Sequence, residues 1–260
     1  MKLRFLLYSG FLGMLLMGAS CTREFKIPKQ AHIANNRCVI FVSQNKLELA
    51  EQSAKLALEY YEQFAHPWNC LGTVELRRGD LDKAERYFKK AIHISTNFVQ
   101  ARNNLGHVYL VRKRYKRAKS EFFAARRIDP ENRDARYNLA LAYVKLRDWK
   151  NARSELVRLV LHHQHRNYAP GHFLLGFVEF ERKNWMKAAQ HHFQAVKLDR
   201  NYKHAHLGLA SALFNMKKYW PACLSIKNAL NLDPRFVEAD NLRKGIDGAL
   251  RKQGKTCPKP

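Results

Sequence analysis

The chain has 260 residues, of which 46% are hydrophobic, and its 47 Lys and Arg outnumber its 22 Asp and Glu to give a formal net charge of +25. This apolar fraction excludes a wholly disordered chain, and the length allows one large domain or an array of several repeats. The basic residues are spread along the chain without a nucleic-acid-binding motif. We therefore interpret them as solvated helix faces and expect no nucleic-acid partner.

Residues 1–20 have the form of a secretory signal peptide. Two basic residues precede the apolar stretch Phe5–Met17, and small residues follow it. That stretch is too short for a membrane-spanning helix with its flanks. The five residues that end at Cys21 resemble the bacterial lipobox, which implies that Cys21 is lipidated, although Gly18 stands where Leu is usual. Ordinary signal-peptidase cleavage before this cysteine is the alternative.

The residues that follow the cysteine bear on location. Thr22 stands where an Asp, in lipoproteins of this kind, would imply retention in the inner membrane, so the resemblance implies the periplasmic face of the outer membrane. The next residues, to Gln30, are polar and are interrupted by Pro28. We therefore expect residues 21–30 to form a lipidated cysteine and a short tether to the folded part.

A set of residue types then recurs at intervals of about thirty-four residues. Leu105 and Gly106 are followed by Tyr109, Ala118, Phe122, Ala125 and Pro130; upstream the same places hold Leu71, Gly72, Glu75, Ala84, Phe88 and Ala91, and downstream Leu139, Ala140, Tyr143, Ala152, Leu156 and Leu159. Small residues allow two helices to cross closely, and large residues fill the space between crossings. This is the tetratricopeptide-repeat (TPR) pattern of one helical hairpin per repeat. It predicts an all-α TPR solenoid, a right-handed superhelix of hairpins.

The repeats are expected to occupy residues 31–236 in about six units. The first lacks the Leu-Gly pair, as terminal repeats often do. A two-residue slip at His162–Asn167 separates the fourth unit from the fifth, in which Phe193 falls one place late. Apolar residues at helical spacing in 237–250 predict a capping helix, and residues 251–260 form a polar tail.

The sequence carries no motif for catalysis or for a cofactor. A phosphate-binding glycine loop, a nucleophile elbow and a zinc-protease motif are all absent, so we expect no enzyme activity and no cofactor. Histidine is locally dense, but no pair has a recognised ligand spacing, and we interpret these side chains as surface or packing residues rather than metal ligands. They are His162, His163, His165, His172, His191, His192, His204 and His206.

Four cysteines besides Cys21 permit three disulfide pairings in an exported protein. Cys38 and Cys70 lie on successive first helices, whereas Cys223 and Cys257 lie near the last hairpin and on the tail. Pairing of neighbours, Cys38 with Cys70 and Cys223 with Cys257, would fasten the two ends of the array. Four free or buried thiols remain the alternative.

The lipobox-like Cys21, the short tether and TPR units with the helix segment Asn103–Gly106 together resemble the type IV pilus pilotin lipoproteins. The resemblance implies a monomeric, membrane-anchored protein that helps the outer-membrane secretin reach the membrane and multimerise. Two other functions stay open. One is a TPR lipoprotein that scaffolds peptidoglycan enzymes or envelope proteases, where broad positive charge suits anionic wall polymer, and the other is a subunit of an outer-membrane barrel assembly machine.

The resemblance also assigns the second, fifth, ninth and twelfth repeat positions to a concave binding surface. Counting in register gives a predicted partner-binding groove of ten residues: Asn103, His107, Tyr137, Leu141, Val144, Phe173, Phe177, Phe180, Leu207 and Phe214. The groove residues change from polar in the third repeat to apolar in the later repeats. This change suits an amphipathic segment whose apolar side lies on the later repeats. The alternative is that these aromatic residues only fill the core between hairpins.

Overall fold

The computed structural model describes residues 26–162 and 165–257. These residues form thirteen α-helices and no strand. In chain order they are α1 (Lys29–Ser43), α2 (Leu47–Tyr60), α3 (Ala65–Arg78), α4 (Leu81–Ile94), α5 (Val99–Val111), α6 (Tyr115–Ile128), α7 (Arg133–Lys145), α8 (Trp149–Leu161), α9 (Ala169–Glu181), α10 (Trp185–Leu198), α11 (Lys203–Asn215), α12 (Tyr219–Leu232) and α13 (Val237–Arg251). The signal-peptide and lipidation predictions, His163, and the end of the tail lie outside the described residues.

The helices form six antiparallel hairpins, closed by α13. Each helix contacts the next along the chain, and each odd-numbered helix also contacts the following odd-numbered helix. Within the described residues, even-numbered helices make no such contacts with each other. The odd-numbered helices therefore lie on the shorter, inner side of a curved array. The prediction of an all-α TPR fold is confirmed.

Close crossings between small and large residues hold each hairpin together. A Cβ atom built on Gly106 would lie 2.4 Å from Cε1 of Phe122, and one built on Gly72 would lie 2.5 Å from Cε1 of Phe88. Ala118 is fully buried as well. The recurring glycine and alanine positions are thus the places where side chains from the second helix fill the gap left by the first.

The turn inside each hairpin has the same backbone shape throughout the array. One residue takes a left-handed conformation with φ between 55° and 86° in all six: Asn45, Gly79, Lys113, Arg147, Lys183 and Lys217. Gly79 suits that conformation because it has no Cβ atom, and Asn45 because its short polar side chain can hydrogen-bond to the local backbone, whereas longer side chains are disfavoured there. The hairpin packing therefore imposes the turn on four basic residues with long side chains.

The fifth hairpin departs from the sequence expectation in one respect. The place that Phe122 occupies in the third hairpin belongs here to His192, which is only 2% exposed. Phe193 is 58% exposed and points outward. The interpretation of Phe193 as a late core residue was therefore wrong: the register holds, and a histidine replaces the aromatic ring. The longer connection that precedes this hairpin runs from 162 to 168, against 129–132 at the preceding join.

Both ends of the array carry a disulfide. Cys38 on α1 is bonded to Cys70 on α3, with 6.5 Å between their Cα atoms. Cys223 on α12 is bonded to Cys257 beyond α13, with 5.8 Å between their Cα atoms. These are the pairs of neighbours that the repeat spacing brings together, and each joins a terminal element to the adjacent hairpin.

Buried glutamates connect successive hairpins. Glu85 accepts hydrogen bonds from the Tyr109 hydroxyl at 3.0 Å and from Arg112 at 2.8 Å. Glu179, which is 1% exposed, accepts from Arg153 of the preceding hairpin at 2.6 Å. Such paired buried charges are costly to break, because removal of one partner leaves the other charged and unsolvated.

Candidate interaction groove

The ten residues predicted to form a partner-binding groove all lie on odd-numbered helices, and each is partly buried. We call the surface that they form with the facing residues of α1 and α3 the inner groove. The structure divides it into a polar part on α1, α3 and the first half of α5, a middle part on α7 and at His107 of α5, and an aromatic part on α9 and α11.

The polar part is formed by asparagines: Asn35, Asn69 and Asn103 hold the same place in successive repeats, and Asn104 lies one place later. Asn69 Oδ1 accepts a hydrogen bond of 2.9 Å from Asn104 Nδ2. The Oδ1 atoms of Asn35 and Asn103 are buried and have no hydrogen-bond partner within the described residues. Asn35 and Asn69 also line a cavity of about 170 Å³. Unpaired buried acceptors are rare in proteins, so these oxygens are suited to N–H donors of a ligand.

The middle part connects the polar and aromatic parts and is mostly packed. Tyr137, Leu141 and Val144 lie against the core around α8 and α9. The Tyr137 ring meets the Tyr168 ring edge-on, with 5.5 Å between centroids, and burial raises the pKa of the Tyr137 hydroxyl. His107 is packed edge-on against Phe122 at 5.5 Å, and burial lowers the pKa of His107. Both side chains are therefore neutral at pH 7.

The aromatic part contains a cavity of about 220 Å³, which we call the aromatic pocket. Four predicted groove residues line it, namely Phe173, Phe177, Phe180 and Leu207. The remaining lining residues were not predicted: Glu181, His192, His204, Gly208 and Ser211. Phe214 lies apart from this cavity, with its ring 5.6 Å from that of Tyr219. Register alone could have identified His204 and Ser211, which occupy the second and ninth positions of the sixth repeat.

Each phenylalanine of the aromatic pocket is supported from behind by another aromatic residue. Phe177 meets Trp149 at 6.3 Å, and Phe180 meets Trp185 at 4.8 Å, both edge-on. Phe173 is 4.9 Å from Tyr202. Each ring therefore packs against the core on one side and borders the cavity on the other. These residues belong both to the core and to the groove.

His192 lies at the floor of the aromatic pocket between two glycines. Its imidazole is 2.8 Å from a Cβ atom built on Gly176 and 2.5 Å from one built on Gly208. Its Nδ1 atom is buried without a hydrogen-bond partner in the described part of the chain. Burial lowers the pKa of His192 to about 3. The ring is therefore uncharged at pH 7 and contributes packing and one polar atom to the pocket.

The outer side of the array differs in charge from the aromatic pocket. A cavity of about 480 Å³ between α10 and α12 carries Lys197 and Arg200 beside the exposed Phe193. Another, of about 350 Å³, is lined by four basic side chains: Lys150, Arg153, Arg158 and Arg182. Both outer cavities are basic.

Two further findings concern the described residues as a whole. None of the helices in 26–162 and 165–257 combines the length and apolar character that crossing a membrane requires. Over the same ranges, no cluster of three or more His, Cys, Asp or Glu has the arrangement of a metal site.

Comparisons with known proteins agree with this fold. Two tetratricopeptide-repeat family models match residues 71–130 and 112–170. The structure of YrrB, described as a TPR protein with an unusual peptide-binding site, is 23% identical with a TM-score of 0.62, covering 75% of this chain and 100% of that one. No curated protein sequence matches the chain.

Two other solved structures are similar over more of the chain. PilF of Pseudomonas aeruginosa, solved in a functional characterisation, is 16% identical with a TM-score of 0.74, covering 83% of this chain and 97% of that one. A tetratricopeptide repeat protein from Parabacteroides merdae is 18% identical with a TM-score of 0.67, covering 87% and 89%. The chain therefore carries TPR repeats and has the TPR fold, which is typical of protein-interaction scaffolds.

Proposed function

We propose that this protein is an outer-membrane lipoprotein that holds a segment of a protein partner in the inner groove. More narrowly, we propose that it is a pilotin, which localises the type IV pilus secretin and assists its multimerisation. The observation that carries the binding role is the aromatic pocket. Its partly buried rings are fixed by neighbouring aromatic residues and still border an open cavity, as anchor sites at protein interfaces do.

Two features support the narrower role. The lipobox-like sequence before Cys21 would place the repeat domain close to a membrane, because residues 22–30 can extend only about 30 Å. The structural similarity to PilF extends over 83% of this chain.

The pilotin role is tested by counting secretin multimers in a strain that lacks this protein. We expect few multimers in the deletion strain and a normal number after the wild-type gene is restored. A normal number in the deletion strain would contradict the role.

Lipid anchoring is tested by the substitution Cys21→Ser. Several acyl chains hold a protein firmly, at about 0.8 kcal/mol per buried methylene group, so their loss should release it. The variant is expected in the periplasm or unprocessed at the inner membrane, as measured by fractionation. If the variant remains in the outer membrane, the lipid is not the main attachment.

A second candidate function is a scaffold for peptidoglycan enzymes or envelope proteases. The outer cavity lined by Lys150, Arg153, Arg158 and Arg182 favours it, because Glu179 engages only two of these four cations and the remaining positive charge suits an anionic wall polymer. Sedimentation with purified cell-wall sacculi distinguishes the two functions, since only the scaffold requires binding to them.

A further inference from the structure

The aromatic pocket has a charge of the opposite sign to the net charge of the chain. Lys and Arg outnumber Asp and Glu by 47 to 22. Both outer cavities follow this surplus and contain Lys and Arg. Of the described residues that line the aromatic pocket, the only one from these four types is an acid, Glu181. This pocket is therefore a local exception in a basic molecule.

Glu181 is exposed and has no partner within the described residues, unlike its neighbour Glu179. Glu179 is buried and binds Arg153 at 2.6 Å, Arg182 at 3.2 Å and Asn184 at 2.7 Å. The adjacent Arg182 is thus engaged by Glu179. Glu181 is also the last residue of α9, where the helix carbonyl groups give a partial negative charge that favours a cation.

The walls of the aromatic pocket beside the Glu181 carboxylate also suit a cationic ligand. The rings of Phe173, Phe177 and Phe180 line the cavity, and aromatic rings attract cations to their faces. No charged group at the floor opposes a cation, because burial keeps His192 neutral. The volume of about 220 Å³ accommodates one long side chain rather than a folded element.

We propose that the aromatic pocket binds a basic side chain of the partner segment, and arginine above all. The aliphatic stem would lie along Phe177 and Phe180, and the guanidinium group would reach the carboxylate of Glu181. Arginine suits this site better than lysine because its planar group stacks on aromatic rings and pairs with carboxylates through two hydrogen bonds. The proposal rests on the proposed function in one respect, that the inner groove holds a protein segment.

The test compares two fluorescein-labelled nine-residue peptides by fluorescence anisotropy with the purified chain. One has a central arginine between leucine and alanine residues, and its twin has uncharged citrulline in place of arginine. We expect about three- to tenfold tighter binding of the arginine peptide. Non-specific attraction would produce the opposite preference, because a protein of net charge +25 attracts the less cationic of two labelled peptides more strongly.

Two variants locate the effect. Glu181→Gln should remove most of the preference while the fold is retained, because the side chain is exposed and makes no internal contact that holds a helix. Glu238→Gln, at an exposed glutamate on α13, is the matched control and should keep the preference. Higher salt should reduce the preference in the wild type, since it screens the charge pair.

Three results would overturn the proposal: equal binding of the two peptides, no binding of either, or a preference that survives Glu181→Gln. Each leaves the pilotin role to be decided separately by the secretin count in the deletion strain. Conversely, normal multimers in that strain would remove the pilotin role and leave the preference for arginine measurable.

Discussion

At the residue scale, His192 shows how one position can serve both packing and a cavity. It fills the place that Phe88 and Phe122 fill in earlier hairpins, and it is nearly as buried as they are. A buried imidazole resists protonation, because the charged form loses its hydration. This substitution in the repeat pattern therefore makes the stability of the fifth hairpin depend on pH.

The direction of that dependence follows from the pKa of His192, about 3 in the folded chain against an ordinary value of 6.5. Between these values the unfolded chain binds more protons, so acidification favours unfolding. Stability should rise with pH up to about 6.5, with a slope from this group of up to about 1.4 kcal/mol per pH unit.

The substitution His192→Phe should remove this contribution, since phenylalanine occupies the equivalent site beside Gly106. We expect the variant to lose less stability than the wild type between pH 6.5 and 4, as measured by urea unfolding. His191, whose pKa is lowered to about 4, should leave a residual slope in both. The exposed His32→Gln is the control, and identical slopes for wild type and His192→Phe would contradict the account.

At the scale of the element, the hairpins show a consistent pairing of small and large residues. Gly72 and Gly106 face the rings of Phe88 and Phe122. Where the register has Ala140 and Ala210 instead, the large positions hold the smaller Leu156 and Ile226, and all four side chains are fully buried. Where alanine replaces glycine and adds a methyl group, the facing side chain on the second helix is thus smaller.

This pairing predicts the effect of Gly106→Ala. An alanine normally stabilises a helix interior by about 0.5–1 kcal/mol relative to glycine. Here its Cβ atom would lie 2.4 Å from a buried ring carbon, so overpacking by roughly 1–3 kcal/mol should prevail. We expect a lower midpoint of thermal unfolding, and Phe122→Leu added to Gly106→Ala should recover part of it.

The matched control for this prediction is Gly248→Ala on α13. Nothing lies within 4 Å of a Cβ atom built on Gly248, so the same substitution should be neutral or slightly stabilising. If Gly106→Ala and Gly248→Ala changed the unfolding midpoint equally, close crossing at Gly106 would not be a determinant of the fold.

The terminal disulfides lead to another prediction at this scale. Cys38 and Cys70 are separated by 32 residues, and a cross-link of this span typically stabilises by about 2–4 kcal/mol. The double substitution Cys38→Ala and Cys70→Ala should loosen α1 and α2 while distant hairpins stay folded, because each repeat contacts only its neighbours. The rate of amide hydrogen exchange should rise in α1 and α2 alone. Equal protection from exchange in all the helices would contradict this prediction.

At the scale of the whole molecule, the fold was predictable because the same residue types recur at a fixed interval. Leu105, Gly106 and Phe122 mark one helix crossing, and the equivalent residues of the other repeats mark the other crossings. The array and the capping helix follow from counting, whereas the groove positions were assigned by the family resemblance and then located by register. The aromatic pocket did not follow in full, because Glu181 lies outside the counted positions and His192 departs from the expected residue type. Their meeting depends on how α9, α10 and α11 pack together.

The central proposal at this scale is that the partner binds in the inner groove and not on the outer face. Phe177 and Phe193 belong to the same hairpin and are the same residue type. Phe177 lines the aromatic pocket, whereas Phe193 is 58% exposed on the outer side. Phe177→Ala and Phe193→Ala therefore form a matched pair for a binding measurement.

The most direct test is a pull-down of the secretin subunit by these two variants and the wild type, with thermal unfolding measured on each. We expect Phe177→Ala to weaken binding by about 2 kcal/mol or more, as the loss of an interface anchor does, and to keep the fold. Phe193→Ala should bind as the wild type does. Retained binding by Phe177→Ala, together with lost binding by Phe193→Ala, would place the partner on the outer face and contradict the account.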